Sequence, residues 1–405
     1  VPVHGLCAPR FAEVRAEFER NFAQRGETGA SVHVTLDGEP VVDLWGGLAD
    51  PGTGRRWTDY TFTHVWTATQ GATALCAHVL AARGHLEMSA PVSRYWPEFA
   101  KGGKDGVLVA HLLNHQAGLP GLRDQLPRGA FYDWEQMTER LAAEEPLWAP
   151  GTRHGYHPFT FGFLVGELVR RVTGGSLAQF FEREIAGPLD LDFWLTLPEE
   201  LDEAAAPVLP TPHLSELIPS MHLTALTDPD SPSGRALLNT GGYLSPGEAD
   251  SRAARAAVLG GTGGLTNARG LACLYRPLAL GGAVDGLRLV ERCDVARAAA
   301  VSSASGSDAV TLVPTRFSLG FAKAVDNRHL PPADRDSLLW SEDAFGACGT
   351  GGSVGFADPA ARLSFGYVTN RQGSGLGLNE RGQSLIDATY RALGHRRLDG
   401  GLWYR

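Results

Sequence analysis

The sequence predicts an α+β protein in which an antiparallel sheet, flanked by helices from both chain termini, carries an inserted all-helical lobe. Three observations predict it. Alternating apolar runs that read as strands stand near both ends of the 405-residue chain. Helical periodicity fills most of the middle, and a helical pattern flanks the strands at each terminus. The expected division puts residues 1–66 and 265–405 in a discontinuous sheet domain and residues 67–264 in a mainly helical one, with the pocket where they meet.

Taken in order, Phe11, Val14, Phe18 and Phe22 recur at helical spacing and stop before Gly26. Ala30 to Leu36 and Pro40 to Leu44 are two strands joined at Asp37-Gly38, a strong hairpin signal. Helices are predicted over Thr69–Ala82, Val107–Asn114 and Phe161–Val172, the first ending near Gly84 and the last at Gly174-Gly175. Ser176 with Gln179 forms a capping box for the next helix, running to about Ile185. From Thr196 to Asn239 the chain is rich in Pro, Asp, Ser and Thr with little periodicity, the mark of a lid-like segment. Helical patterns return at Asp250–Val258 and Asn267–Ala279. Strands are then expected at Ser318–Ala324, Gly352–Ala357 and Arg362–Val368, the last two joined by a turn at Asp358-Pro359. A final helix covers Glu380 to Leu393.

Composition narrows the function. Hydrophobic residues make up 43% and charged residues 20%, an ordinary globular balance. The formal net charge of -9 is the wrong sign for tracking phosphates, so no nucleic-acid partner is expected. No basic amphipathic stretch or long apolar run points to a membrane. The five cysteines are scattered, without paired metal spacing, and read as free thiols of a cytoplasmic protein. No signal-peptide pattern is visible at the first residues. Almost every cationic side chain is arginine; the lysines are Lys101, Lys104 and Lys323.

Six segments carry a resemblance. They are Thr63 to Gly71, "HLLNHQAGLPGL" from His111, "PGTRHGYHPFTFGFLVGELVRRVTG" from Pro150, "GGLTNARGLACLY" from Gly263, "PTRFSLGF" from Pro314 and "FGACGTGGSVGFADP" from Phe345. In order and spacing they resemble the serine β-lactamase, penicillin-binding protein and family VIII carboxylesterase group, most of all the esterases. The resemblance implies a nucleophile motif Ser-x-x-Lys opening a helix, where the lysine one turn on draws off the serine proton. Here that motif falls on Thr67-Ala68-Thr69-Gln70. A threonine stands for the serine, and a neutral amide with no basic nitrogen for the lysine. No Ser-x-x-Lys occurs anywhere in the chain.

The second implied motif, a tyrosine after Pro-Gly, is met by Tyr156. The third, a strand beginning Lys-Thr-Gly or His-x-Gly, reads Ala347-Cys348-Gly349. Main-chain N–H groups need no particular side chain, so the resemblance assigns the oxyanion donors to Thr67 and Thr350, with Trp66 beside them.

Each of these residues also has a plain structural reading. Thr-x-x-Gln is itself a capping box, and Tyr156 fits a core tyrosine whose phenol, with no lysine beside it, stays near the ordinary value of about 10. His64, His154 and His157 are candidate bases that equally suit structural roles. Cys348 reads as packing rather than as a nucleophile. His111 and His115 stand one helical turn apart but lack the glutamate of a zinc-protease motif, so no metal is expected. Ser353 in Gly351-Gly352-Ser353-Val354-Gly355 matches a nucleophile elbow by letter, but the residues after it read as a hairpin rather than a helix.

Losing a positioned base costs about 10²–10⁴ in rate, so ordinary ester hydrolysis is expected to be weak or absent. The expectation is a diverged enzyme of small-molecule, specialised metabolism acting on a carbonyl or acyl substrate without an acyl-enzyme. Cyclisation, aldol-type, elimination and isomerisation chemistry all fit, with Tyr156 as proton donor and a histidine such as His157 as base. Two alternatives stay open: a slow esterase or acyltransferase using Thr67, and a catalytically inactive small-molecule binding protein. No cofactor is expected, and the oligomeric state is left open.

Overall fold

A computed structural model of the chain describes residues 1–211, 218–373 and 377–405. Its centre is an antiparallel sheet built from the two ends of the chain. The strands are β1 (Val3–Cys7), β2 (Gly29–Leu36), β3 (Glu39–Asp50), β4 (Phe345–Cys348), β5 (Val354–Asp358) and β6 (Leu363–Thr369), in the spatial order β1-β3-β2-β6-β5-β4. A short strand, Arg55–Arg56, pairs with β3. The join between the two chain ends is the β2–β6 pair, with Val34 opposite Phe365.

Five helices matter for the site: α1 (Ala12–Gln24), α2 (Gln70–Ala82), α3 (Thr160–Thr173), α4 (Ala268–Ala279) and α5 (Glu380–Ala392). On one face of the sheet, Val32, Val34, Val42, Phe356 and Phe365 pack against Phe18 of α1 and Leu385 and Ile386 of α5. The other face alternates to small residues, which lets α4 lie close. A Cβ on Gly366 would stand 2.3 Å from the Ala268 carbonyl oxygen, and one on Gly355 2.7 Å from Leu271. The period-2 strand pattern thus sets both faces at once. The larger core, formed by α2, α3 and their neighbours, lies beyond α4.

Most predicted elements are present. Asp37 and Gly38 take positive φ (52° and 88°) at the predicted hairpin, Gly174 closes α3 at φ 74°, and Ser176 and Gln179 form their capping box. Four expectations change. Ser318–Ala324 is not a continuous strand: Thr315–Phe317 pairs with Ser303–Ser305, and Ala322 makes single bridges to Phe317 and Gly346. The helix expected over Val107–Asn114 is only Val109–Leu113, and that over Asp250–Val258 only Arg252–Ala256. The segment from Thr196 to Asn239 contains helices Ser220–Thr227 and Pro232–Leu237, the second capped by Ser231. Residues 212–217 of that segment lie outside the described residues. Short local elements held by tertiary contacts carry too few residues for a periodic signal.

The five cysteines are free. Among the described residues no helix is long and apolar enough to cross a membrane, and no cluster of His, Cys, Asp and Glu has metal-binding geometry.

Candidate active site

The site begins at a tight turn. Trp66–Thr69 forms a 3-10 turn that runs into α2 at Gln70. Trp66 holds φ 50°, the left-handed region that costs an L-residue roughly 1–2 kcal/mol. The end of β4 lies against this turn because residue 349 is glycine: a Cβ there would stand 2.1 Å from the Val65 carbonyl oxygen. The Thr67 hydroxyl donates to the Cys348 carbonyl oxygen at 2.9 Å.

Gln70 occupies the position the resemblance gives to lysine. Its Nε2 donates to the carbonyl oxygens of His157 and Pro158, both at 3.1 Å. The capping-box reading of Thr67 and Gln70 is therefore corrected. Neither the 3-10 turn nor α2 has a side-chain cap, because both side chains are committed to other segments of the chain.

Tyr156 faces this pair. Its N–H donates to both carboxylate oxygens of Asp308 (3.1 and 3.0 Å), which also accepts from the N–H groups of Val310 and Thr311 and the hydroxyl of Thr315. The Tyr156 ring stacks on Phe317 with centroids 5.8 Å apart and meets His115 edge-on at 5.0 Å. Burial pushes the phenol well above its ordinary range, and the nearby polar side chains of Thr67 and Gln70 oppose that only partly. The expected value near 10 is thus corrected, and the group holds its proton more firmly than a free tyrosine.

The histidines are committed elsewhere. His157 is fully buried; its Nδ1 donates to the Gly155 carbonyl at 2.6 Å and its Nε2 accepts the Leu119 N–H at 3.0 Å. Burial lowers it to about 3. With both nitrogens engaged and protonation suppressed, His157 is a structural residue, not the base expected from its place beside Tyr156. His64 pairs with the Tyr243 hydroxyl at 2.9 Å and is likewise lowered to about 3, mainly by burial. His154 bonds the Thr315 hydroxyl at 2.8 Å. His115 does reach the cavity, but its Nδ1 accepts the His157 N–H at 3.2 Å, which leaves the proton on Nε2. Burial holds it neutral, so it presents a donor.

No lysine lines the cavity. Lys104 is buried against the carbonyls of Lys101, Ala142 and Glu144, and Lys323 donates to those of Glu342 and Ala344. The cavity gathers Thr67, Gln70, Tyr156, Ala347 and Cys348, joined by largely apolar walls such as Phe317, Phe321, Val325 and Leu378. Burial raises the Cys348 thiol to about 12, which leaves it protonated and unreactive.

Trp66, Gly349 and Thr350 do not line the cavity among the described residues. Trp66 instead packs its ring against His64 (4.4 Å) and Tyr243 (6.3 Å). Thr67 and Thr350 nevertheless donate their N–H groups to no other backbone group among the described residues, which fits main-chain donors left for a ligand. Ser353 is buried; its hydroxyl accepts the Thr369 N–H at 3.3 Å, and a hairpin follows it.

Over the cavity lies the helix Ser220–Thr227, whose start supplies the lining residues Pro219 and Met221. It is tied down by Asp334, which accepts from the Ser220 N–H at 2.9 Å and hydroxyl at 2.6 Å. Asp308, His115, Asn327 and Asp334 are site residues that sequence spacing missed. They come from separate loops, and only the fold brings them together.

The Beta-lactamase family profile matches residues 14–388. The chain is 34% identical over 373 residues to the esterase/beta-lactamase LipL of Mycobacterium tuberculosis, covering 91% of this chain and 83% of that protein. It superposes on the crystal structure of a family VIII carboxylesterase with a TM-score of 0.85 at 37% identity, covering 97% of this chain and 100% of the other. A penicillin-binding protein homologue from Caulobacter crescentus matches at a TM-score of 0.84 and 32% identity, with the same coverage. The turn at Thr67, the phenol of Tyr156 and the strand end at Cys348 thus stand in a shared cleft, and the chain belongs to the beta-lactamase family, within its esterase-like branch.

Proposed function

We propose that this protein uses the esterase cleft to hold a largely apolar, carbonyl-bearing small molecule and to polarise its carbonyl by hydrogen bonding, without forming an acyl-enzyme. One observation carries the reading. The Thr67 hydroxyl donates to a main-chain carbonyl, and among the described residues no nitrogen that lines the cavity is able to take its proton. Gln70 is an amide, His115 presents an N–H, and Tyr156 is a proton holder. The groups at the nucleophile position are donors, the Tyr156 phenol and the Thr67 N–H, while Asp334 and Asp336 also lie on the lining. Donors aimed at a carbonyl oxygen stabilise charge that develops there. Aldol-type and elimination chemistry also need a proton acceptor near carbon. Cyclisation by addition of the ligand's own hydroxyl or amine to the polarised carbonyl forms one bond, opens the C=O π bond and passes the nucleophile's proton to the carbonyl oxygen, so it asks for no acceptor near carbon and is the reaction favoured here.

A second reading, a slow esterase or acyltransferase through Thr67, is favoured by the relatives, which are named as an esterase and a carboxylesterase. A fluorophosphonate probe followed by peptide mass spectrometry separates the two, with short-chain aryl esters and nitrocefin as substrates. The proposal expects no adduct on Thr67 and no turnover above background. A labelled Thr67 with measurable ester hydrolysis establishes the second reading instead. An unlabelled protein that binds carbonyl compounds but converts none is a binding protein.

A further inference from the structure

We infer that Asn379 and Arg381, at the start of α5, are positioning residues that aim the Thr350 N–H through the glycine turn carrying it. The inference rests on the reading that main-chain donors polarise a ligand carbonyl, and it names what holds one of those donors in place.

β4 ends at Cys348, which lines the cavity, and residues 349–352 turn the chain back into β5. Thr350 lies off the lining, so a bound carbonyl meets it only through the direction of its N–H. Gly351 and Gly352 hold φ 98° and 99° in succession, a conformation that glycine tolerates and that no side chain of theirs can fix. The turn therefore depends on its hydrogen bonds. Within it, the Gly352 N–H donates to the Gly349 carbonyl oxygen at 2.9 Å, and the Gly349 N–H donates to that of Ser353 at 2.8 Å.

The ties from α5 run through two peptide planes. The Gly351 carbonyl oxygen accepts from Asn379 Nδ2 at 2.8 Å and from Arg381 Nη2 at 3.0 Å. In a trans peptide the N–H points opposite to the C=O, so these bonds aim the Gly352 N–H at the Gly349 carbonyl. That carbonyl, once engaged, turns the Thr350 N–H of its own peptide the other way, out of the turn. Among the described residues the Thr350 N–H has no backbone partner. The guanidinium is itself fixed. Arg381 is 5% exposed, its Nη1 donates to Glu27 Oε1 at 3.0 Å, and its Nη2 also reaches the Arg371 carbonyl oxygen at 2.8 Å. Glu27 accepts further from the Thr369 hydroxyl at 2.7 Å, the Thr28 N–H at 3.1 Å and the Tyr367 hydroxyl. A satisfied buried network of this kind is rigid. The Glu27–Arg381 pair alone would serve to join the chain ends; two donors converging on one glycine carbonyl serve the turn.

The test is isotope-edited infrared spectroscopy of the full chain saturated with 4-phenylbutan-2-one carrying a carbon-13 carbonyl. In the unaltered protein the bound C=O stretch is expected below its value in water, because preorganised donors polarise it. Asn379→Asp keeps a side-chain oxygen to cap α5 and removes the Nδ2 donor. The stretch should then move back toward its value in water, and the ketone should bind about tenfold more weakly, roughly the worth of one hydrogen bond. Arg381→Lys keeps a charge opposite Glu27 but gives up the fork, and should act in the same direction. A role in stability alone would lower the melting temperature and leave the stretch of the bound ketone where it was. A stretch unchanged in a folded variant overturns the inference and leaves the reading beneath it standing. Should one variant fail to fold, the other decides. A stretch at or above its value in water in the unaltered protein, or no binding of the ketone, overturns both.

Discussion

The Thr67 hydroxyl donates to the Cys348 carbonyl oxygen at 2.9 Å, so the side chain at the nucleophile position ties the start of α2 to the end of β4. Thr67→Val keeps the shape and removes the donor. It is expected to lower unfolding stability by about 1 kcal/mol in chemical denaturation, the ordinary worth of one hydrogen bond. Binding of carbonyl compounds should persist, because the Thr67 main-chain N–H is unaltered.

Restoring the family chemistry is a separate question. Thr67→Ser with Gln70→Lys supplies a nucleophile and a base on the existing turn. Aryl-ester hydrolysis in the double variant should rise at least about 10²-fold over the unaltered chain, the low end of what a positioned base contributes. Gln70→Lys also loses the amide that spans two carbonyls, so its melting temperature should fall. Absence of any gain would mean that Ala347 and the apolar walls have changed the cleft beyond two residues.

Asp308 holds Tyr156 by its backbone while bonding Val310, Thr311 and Thr315. Asp308→Ala leaves several buried donors unpaired and should cost roughly 3 kcal/mol or more. The Tyr156 ring, no longer pinned against Phe317, should show a changed near-ultraviolet circular dichroism signal.

The buried histidines predict an acid-labile fold. Burial lowers His64 and His157 to about 3, against an ordinary 6.5. The unfolded chain binds protons that the folded chain refuses, so stability is full above about pH 6.5 and falls as pH drops toward 3. By pH 5 each histidine should account for roughly 2 kcal/mol of lost stability. Denaturant midpoints measured from pH 8 to pH 5 should fall steadily, and His157→Gln should flatten that slope. A midpoint unchanged down to pH 5 refutes the assignment.

Helix Ser220–Thr227 packs Met221 and Ala225 against Ala236, Leu237 and Val310 and is tied to Asp334 through Ser220. Ser220→Ala removes the 2.6 Å bond to Asp334 and leaves the main-chain bond. Hydrogen exchange in Ser220–Thr227 should speed several-fold with global stability changed by less than about 1 kcal/mol, because local opening is governed by local contacts.

Much of the fold was legible in the sequence. The hairpin at Asp37-Gly38, the period-2 runs of β5 and β6 and the terminal helices α1 and α5 follow from turn chemistry and periodicity, which are local. The short pieces were not: Thr315–Phe317 and Ser220–Thr227 have too few residues to show a period, and partners elsewhere in the chain fix them. The site divided in the same way. Thr67, Gln70, Tyr156 and Cys348 could be named from motif positions. Asp308, Asn327 and Asp334 could not: Asn327 and Asp334 line the cavity and Asp308 holds the Tyr156 backbone, all from segments without a motif.

By itself the sequence determined the chemistry that is missing, because a side chain without a basic nitrogen cannot be given one by folding. It placed a threonine and a glutamine where a serine and a lysine are expected, and left three lysines in the whole chain. Only the tertiary structure decided that none of the described residues lining the cavity replaces the base. Whether a histidine can accept a proton depends on which groups occupy its two nitrogens and how far it is buried, and for His157 both are set by segments distant in sequence.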